Sequence, residues 1–484
     1  MGPSLRLLVI SAATACWLFC HPLRAGQRRG AQRDQRVAFV GLHGGIFEVL
    51  KRYEGELKLQ LHYVRDEQVA QEKVDFAAYR IVLLQHVRRE DRDHWRRLIQ
   101  AAKKRRPELR FVSISGLAEG RLPELAKDGT IEHDPKLRQY YGSSEENLRR
   151  MLIYVSVKYL GRSEKILPPA PVEQQDGLFH PDHEGLFETV GEFLRWARAK
   201  GLPVEKVPRA VIAVHSTHLF FQQPKVVEAL VRALEKRGVL AVAMIDYGRG
   251  YQSHVLEFKP QVVIHTCHSR EPIEFRRKVG CPHMHSIFFR KQSIDEWRKS
   301  VLGIAPNEMA FQVVGQELLG AIEPQIGAGT VHGGGSPEAF TPIPDRIEHL
   351  ADRAVAWIRL NRAPNHEKRI AFVYYDREMG KAELMRGSAT GMFLNGPRSL
   401  ARVLKRMKQE GYRLSRLPAD EDELVGWMMD HGRQIGVWAP GVLDRLARSG
   451  KAVLVPVETY RQWFEAKVPE KQRRELVKRW GEPP

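Results

Sequence analysis

Cysteine is scarce in this sequence, with only four among 484 residues. Two of them, Cys16 and Cys20, lie within the first thirty residues, which leaves Cys267 and Cys281 in the rest of the chain. Cys267 and Cys281 could form a disulfide in an oxidising compartment or remain as two free thiols in a reducing one. Cysteine usage therefore excludes neither compartment. The spacing of these cysteines among the neighbouring histidines matches no named zinc motif.

The sequence also lacks the signatures of several enzyme classes. The glycine-rich stretch 327–337 (GAGTVHGGGSP) does not end in the Lys-Ser/Thr of a Walker A loop, and no strand–loop–helix pattern surrounds it. We therefore interpret it as a surface loop. No Ser-His-Asp order with a nucleophile elbow is present. These absences predict that the chain has no ATP site of its own.

Acidic residues are outnumbered, with 58 Asp and Glu against 77 Lys and Arg, and the formal net charge is +19. Such a charge favours anionic partners: nucleic acid, an anionic membrane surface, or a small ligand that carries carboxylate or phosphate groups. The basic residues are spread along predicted helices and lack the aromatic pattern of RNA-binding modules. We therefore assign most of this charge to solvated helix faces and expect no nucleic-acid partner.

The first 25 residues have the layout of a secretory signal peptide. Arg6 precedes an apolar run, 7–20, that is too short to span a bilayer, and the small residue Ala25 precedes a basic stretch. We predict a signal peptide at 1–25 and export to the periplasm or to a membrane surface. The alternatives are a lipoprotein-like signal at Cys16 and a buried first helix, which would leave the protein in the cytoplasm.

From residue 36 onward, short apolar runs alternate with stretches of helical spacing. Strands separated by helices indicate βαβ units and a parallel sheet. A proline-rich stretch without periodicity, 166–185, separates the first such unit from the second. The sequence therefore predicts a multidomain α/β fold of three successive Rossmann- or flavodoxin-like parallel-sheet units, at 36–165, 205–330 and 366–484, the last ending in a basic helix.

Histidines follow several of the predicted strands. In open parallel sheets, ligands bind beyond the carboxyl ends of the strands. The residues with metal-ligating side chains at such positions are His43, His215, His218, His265, Cys267 and His268. His283 and His285 stand at i and i+2 on one further strand, so their side chains point to the same face.

The segment 264–289 is thus predicted to contribute to a ligand site, because imidazole and thiolate are usual ligands of zinc, iron and copper. The expected metal ligands are His265, His283, Cys267 and Cys281. A Cys267–Cys281 disulfide would remove both thiols and leave the histidines available. The alternative is that these histidines are ordinary polar groups at strand ends.

Several ordered motifs resemble those of the CobN/magnesium-chelatase large-subunit family. The third unit resembles that family's pattern of an Asn-x-Glu-Lys strand, a Gly-Lys loop and a helix ending in Gly-Tyr, although Glu378 and Met379 replace a double proline. The matching residues are Asn365, Glu367, Lys368, Gly380, Lys381, Leu394, Pro397, Ser399, Leu400, Gly411 and Tyr412. Segments 140–155, 177–182, 297–325 and 460–484 resemble further motifs of the family in the same order.

The resemblance implies a large-subunit component of a cobalt or magnesium chelatase, a ligase that forms nitrogen–metal bonds. Its ligand would be a tetrapyrrole (porphyrin, haem or corrin) and its substrate a divalent ion of cobalt, magnesium or iron, inserted or removed. Its partners would be separate AAA+ subunits that hydrolyse ATP, or the C-terminal part of a large subunit. The alternative is an exported haem- or metal-binding protein without chelatase activity.

Under this resemblance, the histidines of the second unit would line a tetrapyrrole or metal pocket. Tetrapyrrole carboxylates suit a basic protein, and histidine is the common ligand of haem iron. The residues expected around the tetrapyrrole are His215, His218, His265, His268, His283 and His285. The sequence identifies no catalytic residue.

Overall fold

A computed structural model describes residues 35–42, 45–87, 92–142, 144–171, 176–220, 224–246, 248–266, 269, 271–333, 339–373, 395–432 and 441–483. The predicted signal peptide lies outside these residues, as do His43, Cys267 and His268. None of the described helices is long and apolar enough to cross a membrane.

The first part of the chain forms a five-stranded, fully parallel sheet, sheet A, with strand order β2-β1-β3-β4-β5. Its strands are β1 Arg36–Val40, β2 Gln60–Val64, β3 Ile81–Leu84, β4 Arg110–Ser113 and β5 Ile131–His133. The central strand β3, Ile-Val-Leu-Leu, is buried at every position. A continuous apolar run of this kind is typical of a parallel strand that helices cover on both faces.

Helices flank sheet A on both faces and give it two buried clusters, one around Met151 and Leu152, the other around Trp95 and Ile99. The helices are α1 Ile46–Arg52, α2 Asp66–Ala70, α3 Arg92–Arg105, α4 Leu117–Arg121, α5 Pro123–Lys127, α6 Pro135–Tyr140 and α7 Glu145–Leu160, with a 3₁₀ turn at Phe76–Ala78. A serine caps α7 at its start: the Ser144 hydroxyl accepts a hydrogen bond from the amide of Asn147.

A second, seven-stranded sheet, sheet B, has strand order β12-β11-β10-β9-β7-β8-β6. Its strands are β6 Leu178–Phe179, β7 Arg209–Val214, β8 Leu240–Ile245, β9 Val262–His265, β10 His283–Ser293, β11 Ile322–Thr330 and β12 Thr341–Pro342. The five inner strands are parallel, and the short edge strands β6 and β12 are antiparallel to their neighbours. Sheet B therefore extends beyond the predicted 205–330 unit at both ends.

The helices around sheet B again cover both faces. They are α8 Val190–Ala199, α9 Ser216–Phe220, α10 Pro224–Glu235, α11 Tyr251–Phe258, α12 Ile273–Val279, α13 Ile294–Lys299, α14 Pro306–Met309, α15 Gly315–Leu318 and α16 Pro344–Arg362, with a π-helical turn at Ala310–Val314 between α14 and α15.

The stretch 327–337, interpreted from sequence as a surface loop, begins inside strand β11. A Cβ atom at Gly327 would lie 2.2 Å from Ser286 Oγ, and one at Gly329 would lie 2.6 Å from Phe289 Cζ. These glycines are therefore required by close packing of β11 on β10 and do not mark a loop. Residues 334–337 of the stretch lie outside the described part of the chain.

Residues from Arg362 onward belong to a second compact unit. Its described elements are a 3₁₀ turn at Asn365–Glu367 and the helices α17 Gly396–Gln409, α18 Glu421–Gly432, α19 Val442–Arg448, α20 Val457–Lys467 and α21 Glu470–Trp480. The apolar run 452–457, which has the composition of a strand, pairs with no described segment: Val457 begins α20, and Pro456 lacks the amide that a sheet ladder needs. Residues 374–394, which include Gly380, Lys381 and Leu394 of the family pattern, and residues 433–440 lie outside the described part of the chain.

The predicted α/β class is therefore confirmed as a mixed α/β structure with a parallel sheet A and a mixed sheet B. The described residues of the third predicted unit contain helices but no strand. The prediction of three Rossmann-like units is therefore not confirmed by the described residues.

Helix α8 allows a direct test of local stability. Thr189 accepts a hydrogen bond from the Glu192 amide at 3.1 Å, and the Glu192 carboxylate accepts one from the Thr189 amide at 3.4 Å. Replacing Thr189 by alanine removes one half of this capping box, so we expect the free energy of unfolding to fall by about 1 kcal/mol. Thr189→Ser keeps the hydroxyl and should cost much less. Equal losses in the two variants, measured by urea unfolding, would contradict the capping role.

Candidate metal centre

The histidines of segment 264–289 come from two neighbouring strands of sheet B. His265 is the last residue of β9, and His283 is the first residue of β10. In the parallel register, His265 lies opposite His285 and Val263 lies opposite His283. Because side chains alternate along a strand, all three histidines lie on one face of the sheet.

This face is covered by helices α11 and α12. Val263, which shares the face, packs in one buried cluster with Tyr251 of α11 and Phe275 of α12. The histidines are accordingly buried, with His265 exposed by 0% and His283 by 3%. They lie under the covering helices, and His283 stands at the amino end of its strand. The site thus differs from the crevice beyond the carboxyl strand ends that the sequence suggested.

The two imidazoles and one carboxylate converge on a small volume. His265 Nε2 lies 3.0 Å from His283 Nδ1. The Oε2 atom of Glu271 lies 3.5 Å from His265 Nε2 and 3.4 Å from His283 Nδ1. These three ligand atoms all lie within 4.8 Å of one another, and the three side chains are buried. Among the described residues, this is the one group of His, Cys, Asp or Glu side chains with the geometry of a metal site.

Arg276, on α12, supplies the positive charge beside this cluster. Its Nε donates a hydrogen bond to Glu271 Oε2 at 3.1 Å, and its Nη1 donates one to the carbonyl oxygen of Leu319 at 2.8 Å. The guanidinium is itself buried, with an exposed fraction of 6%. Glu271 and Arg276 therefore form a buried ion pair in direct contact with the two histidines.

The protonation states of the cluster favour ligand chemistry. Burial lowers the pKa of His265 well below its ordinary value, and the nearby His283 and Arg276 act in the same direction. For Glu271, burial raises the pKa, but hydrogen bonding with His283 and the electrostatic effect of His265 outweigh it and lower the pKa to about 2. Near neutral pH the cluster therefore offers a neutral imidazole and an ionised carboxylate, the forms that bind metals.

Three polar atoms of the cluster have no hydrogen-bond partner among the described residues: His265 Nδ1, His283 Nε2 and Glu271 Oε1. Buried polar atoms are paired in most native structures, because an unpaired one costs free energy. Unpaired atoms concentrated in one buried cluster indicate a place where a further group binds.

The other predicted site residues have different surroundings. His285 is buried beside the cluster but is not one of its three converging ligands. His215 follows β7, where its Nδ1 lies 2.8 Å from the hydroxyl of Thr217. His218 lies on α9, and its side chain is outside the described part of the structure, as are Cys267 and His268. Burial raises the pKa of the Cys281 thiol to about 12, so this thiol stays protonated near neutral pH.

Sequence reasoning missed Glu271 and Arg276. Both lie in segment 264–289, within the connection between the two histidine-bearing strands, where the stretch Arg-Glu-Pro precedes a short helix. A carboxylate between two candidate metal-binding histidines was the available signal, since carboxylate oxygen completes many two-histidine sites.

Comparison with known proteins identifies the family. The model of the CobN/Magnesium Chelatase family matches residues 138–484, most of the chain, and the protein belongs to this family. The matched region contains sheet B and its histidine cluster.

Proteins similar to this chain include subunits of magnesium chelatases and of cobaltochelatases. A magnesium-chelatase subunit of Chlorobaculum parvum is 26% identical over 306 residues, which are 58% of this chain and 22% of the relative. The aerobic cobaltochelatase subunit CobN of a Sinorhizobium species is 26% identical over 386 residues, 75% of this chain and 29% of the relative. The structure of the catalytic subunit of cobaltochelatase from Mycobacterium tuberculosis aligns with a TM-score of 0.49 and 17% identity, covering 93% of this chain and 36% of that one. The chain thus spans less than a third of the length of these curated relatives.

Proposed function

We propose that this chain is a tetrapyrrole- and metal-binding portion of a cobalt or magnesium chelatase large subunit. The observation that carries the proposal is the convergence of His265, His283 and Glu271 within a chain of the CobN/magnesium-chelatase family. A chelatase needs a place for a divalent metal that is to be exchanged with a macrocycle. In this proposal, the cluster is where the metal substrate is held.

The tetrapyrrole would bind through charge and imidazole chemistry. Its carboxylate side chains suit a protein with a formal net charge of +19. His215 and His285 are the remaining described histidines of the predicted set, and imidazole is the usual axial ligand of haem iron. We propose these two residues, with His218 and His268, as the first positions to test for contact with the macrocycle.

Metal insertion would require partners. The sequence has no Walker A motif, so we propose that separate AAA+ subunits supply ATP hydrolysis. The chain spans 22% and 29% of the magnesium-chelatase and cobaltochelatase relatives above. The whole reaction would therefore involve regions that correspond to the rest of those subunits.

A second candidate function is haem or metal binding without chelatase activity, in an exported protein. The observation that favours it is local: the three converging ligands all come from residues 265–283, within one sheet. Such a site would bind metal whether or not the rest of a large subunit is present. Assays of metal insertion and release, with and without ATPase subunits, separate this function from the first.

Tetrapyrrole binding is tested by titrating the purified chain with metal-free porphyrin and with haem while the Soret band is followed. We expect saturable binding at micromolar concentration. His215→Ala is expected to weaken haem binding about tenfold or more, because a partly exposed imidazole ligand is lost. His349 lies on the exposed side of α16 and provides the matched control, with His349→Ala leaving binding unchanged. Failure of both tetrapyrroles to bind would overturn tetrapyrrole binding in both candidate functions, and would leave only metal binding by the histidine cluster to be tested.

A further inference from the structure

The donor atoms of the cluster are of a kind that distinguishes between metals. Two are imidazole nitrogens and one is a carboxylate oxygen, all on buried side chains. Mg²⁺ prefers six oxygen ligands in octahedral geometry and usually keeps several waters. Imidazole ligands instead suit first-row transition ions such as Co²⁺, Ni²⁺ and Zn²⁺. The family includes both magnesium and cobalt enzymes, so the donor set bears on which ion this chain takes.

The spacing of the three atoms fits one such ion. The separations of 3.0, 3.4 and 3.5 Å define a triangle whose centre is about 1.9 Å from each atom, so an ion with bonds of about 2.0–2.2 Å would lie slightly out of its plane. This is the arrangement of three ligands in a tetrahedral site. Three protein ligands also leave a coordination position open, as in catalytic zinc sites, whereas structural sites use four.

In this structure, the positive charge next to Glu271 is the guanidinium of Arg276. Its Nε donates to Glu271 Oε2, the same oxygen that faces both histidines. The other carboxylate oxygen, Oε1, has no partner among the described residues. An ion at Oε2 would compete with Nε for this oxygen, and Oε1 is then available to the displaced guanidinium.

We infer that the His265–His283–Glu271 cluster binds a nitrogen-preferring transition-metal ion in preference to Mg²⁺, and that this ion replaces Arg276 at Glu271 Oε2. The inference rests on the proposed function, since it names the metal class that the same site takes. Arg276 is then a positioning residue: in the absence of metal it holds the carboxylate in place, and it opposes the entry of any cation that cannot also engage the imidazoles.

The test uses the full, metal-free chain titrated separately with Co²⁺, Zn²⁺ and Mg²⁺ by calorimetry, and with Co²⁺ by visible absorption. We expect Co²⁺ and Zn²⁺ to bind at least about 100-fold more tightly than Mg²⁺. His265→Ala and His283→Ala should each weaken Co²⁺ binding about 100-fold and remove the intense absorption of low-coordinate Co²⁺. His349→Ala, on an exposed helix face, should change neither.

Substitution of Arg276 tests whether the metal ion replaces the guanidinium at Glu271, which the histidine variants do not test. Arg276→Gln keeps a hydrogen-bond donor but removes the competing charge, so we expect it to bind Co²⁺ about tenfold more tightly than the unaltered chain. Circular dichroism checks the fold of each variant; His265→Gln and His283→Gln replace any alanine variant that unfolds.

Several results would overturn the inference: Mg²⁺ affinity equal to that for Co²⁺, unchanged Co²⁺ affinity in both histidine variants, or weaker Co²⁺ binding by Arg276→Gln. If porphyrin binds while metal selectivity is absent, only the inference fails. If neither porphyrin nor any metal binds, the proposed function fails as well.

Discussion

Replacing Arg276 by methionine is expected to lower the free energy of unfolding of the metal-free protein by about 3–5 kcal/mol, the usual cost of removing one partner from a buried ion pair. Glu271 has an exposed fraction of 4% and keeps its negative charge, since its pKa is lowered to about 2. Methionine fills a similar volume but provides no charge and no donor. The variant therefore leaves a buried carboxylate without its cation, and leaves the carbonyl oxygen of Leu319 without the guanidinium that binds it.

The same variant should recover stability when a transition metal is added. An ion that binds the folded state alone stabilises it by about 2.7 kcal/mol at 100 times its Kd. Zn²⁺ should therefore raise the unfolding temperature of Arg276→Met by more than that of the unaltered chain, in which the ion must first displace the guanidinium. Mg²⁺ should have little effect on either.

The neighbouring Arg277 provides the control for this experiment. It lies on the same helix, is exposed, and can be replaced by methionine with an expected change of less than about 0.5 kcal/mol. Thermal unfolding of both variants, with and without Zn²⁺, measures the difference. Equal stability of Arg276→Met and Arg277→Met would show that the buried ion pair contributes nothing.

The meeting of His265 and His283 could be predicted from sequence because it depends on simple strand rules. Two apolar runs of strand length, separated by a short helix, become adjacent parallel strands, and alternation then places their histidines on one face. The register makes His265 and His283 diagonal neighbours on that face, and the 3.0 Å separation of their nitrogens depends in addition on how the two side chains are oriented. Their role as metal ligands remains a prediction.

Glu271 and Arg276 could not be placed in the same way. Their positions depend on the path of an irregular connection and on the packing of α12, neither of which has a periodic signal. Strands β5 and β11 also lack a clear signal in the sequence. β5 is only three residues long, and β11 contains proline and glycine, which in a sequence indicate turns, although in the structure the glycines allow close packing on β10.

The helical segment 306–318 shows why hydrophobic periodicity fails in one place. Its buried side chains, Glu308, Gln312 and Gln316, are polar, and the first two bind backbone groups of β10 where the pairing of β10 with β11 is irregular. The Glu308 carboxylate accepts a hydrogen bond from the amide of Arg290, and Gln312 bonds both the amide and the carbonyl oxygen of Phe288. A polar side chain that takes the hydrogen bonds normally made by a neighbouring strand produces no periodic pattern in the sequence.

Replacing Asp134 by asparagine is the second substitution for which we expect a large effect, a loss of about 2–4 kcal/mol at pH 7. Asp134 has an exposed fraction of 2%. Its carboxylate accepts hydrogen bonds from Tyr159 Oη at 2.7 Å, Lys158 Nζ at 2.8 Å, Tyr154 Oη at 2.9 Å and the Lys136 amide at 3.1 Å. These contacts join the start of α6 to the last turns of α7.

Asparagine has the same shape but only one acceptor oxygen and no charge. Some of the four donors must therefore lose their partner in a buried site, and the Lys158 ammonium loses its counter-ion. Asp93→Asn, on the exposed side of α3, removes a surface carboxylate of the same sheet A region and should cost less than about 1 kcal/mol. Urea unfolding measures both variants, and hydrogen exchange of the α6 and α7 amides locates the loss. A loss no larger than that of Asp93→Asn would contradict the proposed structural role of Asp134.

The effect of Asp134→Asn should also depend on pH. Burial alone raises the pKa of Asp134, but the hydrogen bonds from Lys158, Tyr159 and Tyr154 outweigh it and lower the pKa below its ordinary value of 3.8. The unfolded chain therefore takes up a proton at higher pH than the folded one. The stabilising contribution is fully present above the ordinary pKa and is lost as the pH falls through the lower, folded value. The difference in unfolding free energy between the unaltered chain and Asp134→Asn should accordingly be constant from pH 7 to about pH 5 and shrink below about pH 4. A difference that grows on acidification would mean that folding raises the pKa of Asp134 and would contradict the prediction.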